Sequence, residues 1–141
     1  EAAGQLFKTG KNCAQSVVMV FAKELGISED QAFAMAAGFG GGMAKNGEVC
    51  GAVTGAAMVL GLKYGQPGAD PDNAKQITAD KLDALMQKFK AQNGSLICKE
   101  IIDGVDLKTP EGQKKWADKN MHAYQCLPAV KSAVEILVDL V

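Results

Sequence analysis

Residues 47–65 read GEVCGAVTGAAMVLGLKYG, and the organisation of the whole chain follows from how that stretch folds. Positions 49–62 are the longest apolar run, interrupted by glycines and Thr54. The run is shorter than the ~20 residues needed to span a bilayer. Nowhere does the chain sustain the period-two alternation of β-branched residues that marks a strand. The stretch therefore predicts a buried core helix over about 48–64, stopped by Gly65. Gly51 and Gly55, with Ala52, Ala56 and Ala57, fall at small-x-x-x-small spacing, which lets two helix backbones approach closely.

Helix punctuation recurs on both sides. Asn12 can cap a helix running to about Leu25, with Val17, Val18, Phe21, Ala22 and Leu25 on its apolar face and Gly26 at its stop. Ser28 and Gln31 form a capping-box pattern for a short helix to about Ala37. Gly38, Gly40, Gly41, Gly42 and Gly47 then mark a loop read as a flexible connector, whose amides could meet an anion. Asp70-Pro71 opens a long helix with Ile77, Leu82, Leu85, Met86 and Phe89 inward, ending at Gly94. Ser95 is the expected cap of a short helix carrying Cys98, and Thr109-Pro110 starts another. Pro128 opens the last, with Val130, Val134, Leu137, Val138 and Val141 on one stripe. These signals predict an all-α, compact single-domain bundle of about six to seven helices over residues 1–141.

Composition narrows the function classes. A chain that is 48% hydrophobic and 22% charged suits a soluble globular domain. Its formal net charge of −1 gives no general pull toward nucleic acid or anionic membrane. The opening EAAGQLFKTG shows no signal peptide, so reduced cysteines in the cytoplasm are expected, although upstream residues can have been removed. The sequence names no enzyme activity or redox partner protein and leaves a homodimer open.

The chemistry-bearing residues are four cysteines: Cys13, Cys50, Cys98 and Cys126, each expected at or near a helix start. A helix N-terminus carries about half a positive charge and unpaired N–H groups, which favour thiolate. Alternate helix N-termini of a bundle gather at one end, so the four thiols can converge without a local motif. No two of them form C-x-x-C, and buried cysteine often serves as a small hydrophobe. The competing reading is a helical structural or adaptor protein whose cysteines fill core. Gly51 and Gly55 have a packing role or leave room beside Cys50 for a cluster or a partner cysteine.

NCAQSVVMVFAKELG, the glycine-rich stretch through Cys50, NGSLICKE and the later Cys126 together resemble the four-cysteine redox family named after its C…GCAxxG…C…C pattern. The resemblance spans roughly 10–137, and Cys50-Gly51-Ala52-Val53-Thr54-Gly55 fits its C-G-A-x-x-G core residue by residue. It implies electron transfer or thiol redox work at Cys13, Cys50, Cys98 and Cys126, and similar domains accompany cytochrome modules with iron–sulfur centres. With that resemblance the expected chemistries rank as follows: an iron–sulfur cluster ligated by the four cysteines, then a dithiol pair without metal, then a Cys₄ zinc site.

Other candidates carry less. His122 stands four residues before Cys126, within reach of a ligand or proton-transfer role, though a lone histidine is more often structural. Gly38 to Met43 lacks the G-K-[ST] of a phosphate loop, and no G-x-S-x-G elbow appears. Trp116, Met121 and Tyr124 are expected to pack the last two helices.

Overall fold

The computed structural model describes residues 2–141 as an all-α domain with eight α-helices among them. They are α1 (Ala2–Lys8), α2 (Cys13–Phe21), α3 (Glu29–Ala36), α4 (Gly51–Tyr64), α5 (Pro71–Asn93), α6 (Cys98–Ile101), α7 (Pro110–Asp118) and α8 (Leu127–Leu140). A 3₁₀ turn at Ala37–Phe39 follows α3, and a π-helical turn at His122–Cys126 leads into α8.

The helix termini follow their side chains. Asn12 and Ser28 each close a capping box, with Gln15 and Gln31 respectively. Asp70 and Thr109 accept from the third residue beyond them, and each is followed by a proline in the first turn. Gly94 ends α5 in the left-handed region at φ 84°, whereas α2 ends at Phe21, short of the expected Leu25, and Gly26 at φ 78° closes the turn after it.

The small residues of α4 set the packing. A Cβ on Gly55 would lie 2.9 Å from the carbonyl oxygen of Ala14 and 3.1 Å from its Cα, so α2 and α4 meet backbone to backbone. Val17, Val18, Ala52, Ala56, Val59, Leu60, Leu85, Phe89, Val130 and Leu137 fill the core between α2, α4, α5 and α8. Buried polar groups of the core find partners: Gln15 Nε2 donates to the Phe33 carbonyl, Ser16 Oγ donates to that of Asn12, and Asn93 Nδ2 donates to Ser132 Oγ.

Several expectations need correction. The helix α1 was not anticipated. The helix expected from 48 begins at Gly51, because residues 48–50 run extended against 96–98: Cys50 N–H donates to Leu96 O, Cys98 N–H donates to Glu48 O, and Val49 bridges Ile97. Ser95 is not the cap of α6; Ile97 is, and the Ser95 hydroxyl accepts the Ile97 N–H. Ile77, Val138 and Val141 are exposed rather than inward, and Ile136 takes the buried place on α8. Tyr124 is exposed too, while Met121 is buried as expected.

The glycine loop is an ordered turn. Gly41, Gly42, Met43, Ala44 and Lys45 have consecutive φ of 64°, 69°, 67°, 52° and 65°, a run of left-handed backbone. Its amides are satisfied in series: Ala44, Lys45, Gly47 and Glu48 donate to Gly38, Gly40, Gly41 and Gly42. Three of the five residues carry side chains, each costing about 1 kcal/mol or more in that conformation.

Candidate functional site: four thiols around one cavity

The fold delivers the four cysteines by different means. Cys13 is the first residue of α2, and Asn12 holds that end in place by donating from Nδ2 to the Ala37 carbonyl at 3.1 Å. Cys50 is the N-cap of α4. Cys98 opens α6 and is pinned by its N–H to Glu48 O at 2.7 Å. Cys126 departs from expectation: it ends the π turn with helical backbone on both sides and so has no free helix N-terminus. The cause is Pro128, which has no N–H and whose ring collides with the carbonyl four residues back in a tight α turn. A wider π turn carries that carbonyl away from the ring.

All four residues line one cavity of about 640 Å³, and all four are free cysteines. Glycines form its close walls. A Cβ on Gly51 would come within 2.9 Å of Cys13 Cβ, and one on Gly42 within 2.7 Å of Cys98 Cβ. Gly51 lines the cavity; Gly55, one turn on, does not, and packs against Ala14 and Val17 instead.

The thiols differ in acidity because of burial and of one another's proximity. Cys13 is raised well above the ordinary thiol value, first by its hydrogen bond to Cys126, then by that to Cys50, and then by burial. The helix N-terminus under Cys13 is outweighed by these neighbours, contrary to the thiolate expectation. Cys50 and Cys126 are lowered, each mainly by the hydrogen bond from Cys13 and each opposed by burial. The Ala52 and Val53 amides, which face Cys50, reinforce its shift without closing a cap hydrogen bond. Burial, with the charges of Cys50 and Cys126, pushes Cys98 up to about 12. Cys13 is thus the least acidic of the three neighbouring thiols, and Cys50 and Cys126 the more acidic.

The remaining wall is aromatic. His122 stacks on Phe7 with ring centroids 4.0 Å apart, and Trp116 meets it edge-on at 5.7 Å. Trp116 faces Cys126 and lowers its pKa, yet its buried Nε1 closes no hydrogen bond. Sequence reasoning had placed Trp116 in ordinary helix packing. No local motif announces this aromatic wall; the spacing of His122 and Cys126 was its one legible sign. Among the described residues, no three His, Cys, Asp or Glu side chains are arranged to hold a single metal ion, so the four thiols are gathered without being preset around one centre. No helix of the structure is long and apolar enough to cross a membrane.

Comparison with known proteins agrees with this cysteine-centred reading. A protein of Archaeoglobus fulgidus, described only as uncharacterized, is 29% identical over 142 residues, covering 96% of this chain and 87% of its own length. No solved structure matches. The family described as "Putative redox-active protein (C_GCAxxG_C_C)" matches residues 11–140, and the chain belongs to it.

Proposed function

We propose that this protein is a thiol redox carrier in which Cys126 attacks and Cys13 resolves. The observation that carries this reading is the gathering of Cys13, Cys50 and Cys126 on the wall of one cavity, with Cys13 neighbouring both of the others. Cys126 has a lowered pKa and is only half-buried, whereas Cys50 is 5% exposed, so Cys126 is the more accessible nucleophile. Its thiolate attacks a disulfide R–S–S–R, the S–S bond breaks, and one RS⁻ leaves with the electron pair. Cys13 then loses its proton to the departing thiolate and attacks the Cys126 sulfur of the mixed disulfide, releasing the second RS⁻. The sum is one protein disulfide for one substrate disulfide, with two electrons transferred. Cys50 is a second neighbour to which Cys13 can pass the bond, and Cys98, held neutral by burial, stays out of the exchange.

A second reading is favoured by a different observation, the convergence of four thiols on one cavity far larger than a disulfide needs. Cys13, Cys50, Cys98 and Cys126 would then hold an iron–sulfur cluster, which supplies one-electron transfer when bound. Its donor set fits, and the amides beside Cys50 suit a sulfur-rich anion.

One experiment separates the two. Protein isolated without oxygen is analysed for iron and sulfide and titrated in a dithiol redox buffer. The thiol reading expects a two-electron transition that Cys13→Ser abolishes and that needs no metal. Stoichiometric iron and sulfide, with visible absorption lost in Cys98→Ser, would replace it with the cluster.

A further inference from the structure

We propose that the cavity is a substrate site for a small anionic disulfide, an R–S–S–R molecule carrying carboxylate groups; the proposal rests on the thiol-exchange reading above. Size supports a small molecule, since about 640 Å³ lies within the ~300–1,000 Å³ of typical ligand pockets. Access supports it as well. Cys50 and Cys98 are 5% and 8% exposed, and Cys13 and Cys126 are half-buried in the wall of the cavity, so a disulfide meets these sulfurs by entering it.

Charge selects the class. Lys11 and Lys45 line the cavity, and no Asp or Glu does. The salt bridges among the described residues join Lys75 to Asp72 and Lys114 to Asp118, so neither cavity lysine is neutralised by an ion pair. Of the glutamates on the bordering segments, Glu48 is exposed and offers its carbonyl to Cys98, and the Glu100 carboxylate accepts the Ser95 hydroxyl. In a chain with 16 acidic and 15 basic residues, this wall carries a local excess of positive charge. Phe7, Ile101, Ile102, Leu107 and Trp116 supply apolar surface for the carbon and sulfur of the ligand. The unpartnered indole N–H of Trp116, buried beside Cys126, is a donor that an anionic guest can satisfy.

The test uses the reduced full chain and three small disulfides: dithiodiglycolate (anionic), hydroxyethyl disulfide (neutral) and cystamine (cationic). Each rate of protein oxidation is divided by the rate of the same disulfide with a simple free thiol. The expected result is a preference for dithiodiglycolate over cystamine of about tenfold or more at low salt. Lys11→Ala combined with Lys45→Ala brings that ratio toward one, and Lys88→Ala, on an exposed face of α5, leaves it. Equal normalised rates, or a preference for cystamine, overturn the substrate assignment alone. Failure of all three disulfides to oxidise Cys13 and Cys126 overturns the thiol-exchange reading beneath it.

Discussion

Gly51 and Cys13 are pressed together: a Cβ on the glycine would lie 2.9 Å from the Cβ of the cysteine and 3.0 Å from the Ala14 nitrogen. The contact joins the first turns of α2 and α4, and Gly51 directly follows Cys50. One missing side chain thus brings two of the thiols into reach of each other, which ties the glycine of the C-G-A-x-x-G core to the chemistry of the site.

Gly51→Ala and Gly55→Ala should each destabilise the protein by about 1–3 kcal/mol, because the added carbon meets backbone that cannot move aside. Gly61→Ala, on the same helix with nothing within 4 Å, should stabilise it by roughly 0.5–1 kcal/mol through helix propensity. Denaturant unfolding of the three variants checks the signs. Equal effects at all three positions would show that the α2–α4 contact is loose.

The left-handed turn makes a prediction of opposite signs. Ala44→Gly, at φ 52°, should stabilise by about 0.5–1 kcal/mol by removing the penalty of a Cβ there. Gly42→Ala should destabilise, since its Cβ would lie 2.6 Å from the Glu48 nitrogen and 2.7 Å from Cys98 Cβ. Thermal melts of both variants test this, and a Gly42→Ala protein as stable as the parent would contradict the geometry.

Trp116→Phe should raise the pKa of Cys126, because the indole N–H facing its sulfur is lost while the ring against His122 is kept. The pH dependence of Cys126 alkylation, read by mass spectrometry, reports the midpoint. An unmoved midpoint would mean that the indole does not act on that sulfur.

Cys98 carries a stability signature at high pH. Folding moves its pKa from an ordinary value near 9.0 up to about 12. The unfolded chain therefore ionises first, so the contribution is complete below pH ~9 and is lost as pH rises toward ~12. The stability difference between the parent and Cys98→Ala should shrink across that window. A difference constant from pH 8 to 11 would show that Cys98 is not held neutral.

Much of the fold was legible because its signals are local. Asn12, Ser28, Asp70 and Thr109 cap as their side chains dictate, and Gly94 stops α5 where its backbone requires, whereas α2 ends at Phe21, before Gly26. The four-cysteine set was legible from the family pattern, and Cys13, Cys50 and Cys98 also from the helix starts. Less local features were hidden. The π turn at Cys126 arises from Pro128 acting on the preceding turn, and the extended pairing of 48–50 with 96–98 depends on contacts between distant segments. The order of the glycine loop rests on a hydrogen-bond series that composition cannot reveal. The raised pKa of Cys13 depends on which sulfurs surround it, something the helix N-terminus alone predicts with the wrong sign.

The central claim is that Cys13 is the shared partner of the site, and disulfide mapping tests it most directly. The reduced protein is equilibrated with a dithiol redox buffer, its remaining thiols are blocked, and the peptides are mapped without reduction. The account predicts one intrachain disulfide that contains Cys13, joined mainly to Cys126 with a minor fraction joined to Cys50, while Cys98 is recovered as a free thiol. A Cys98-containing disulfide as the main product, or four free thiols at every buffer potential tested, would contradict it.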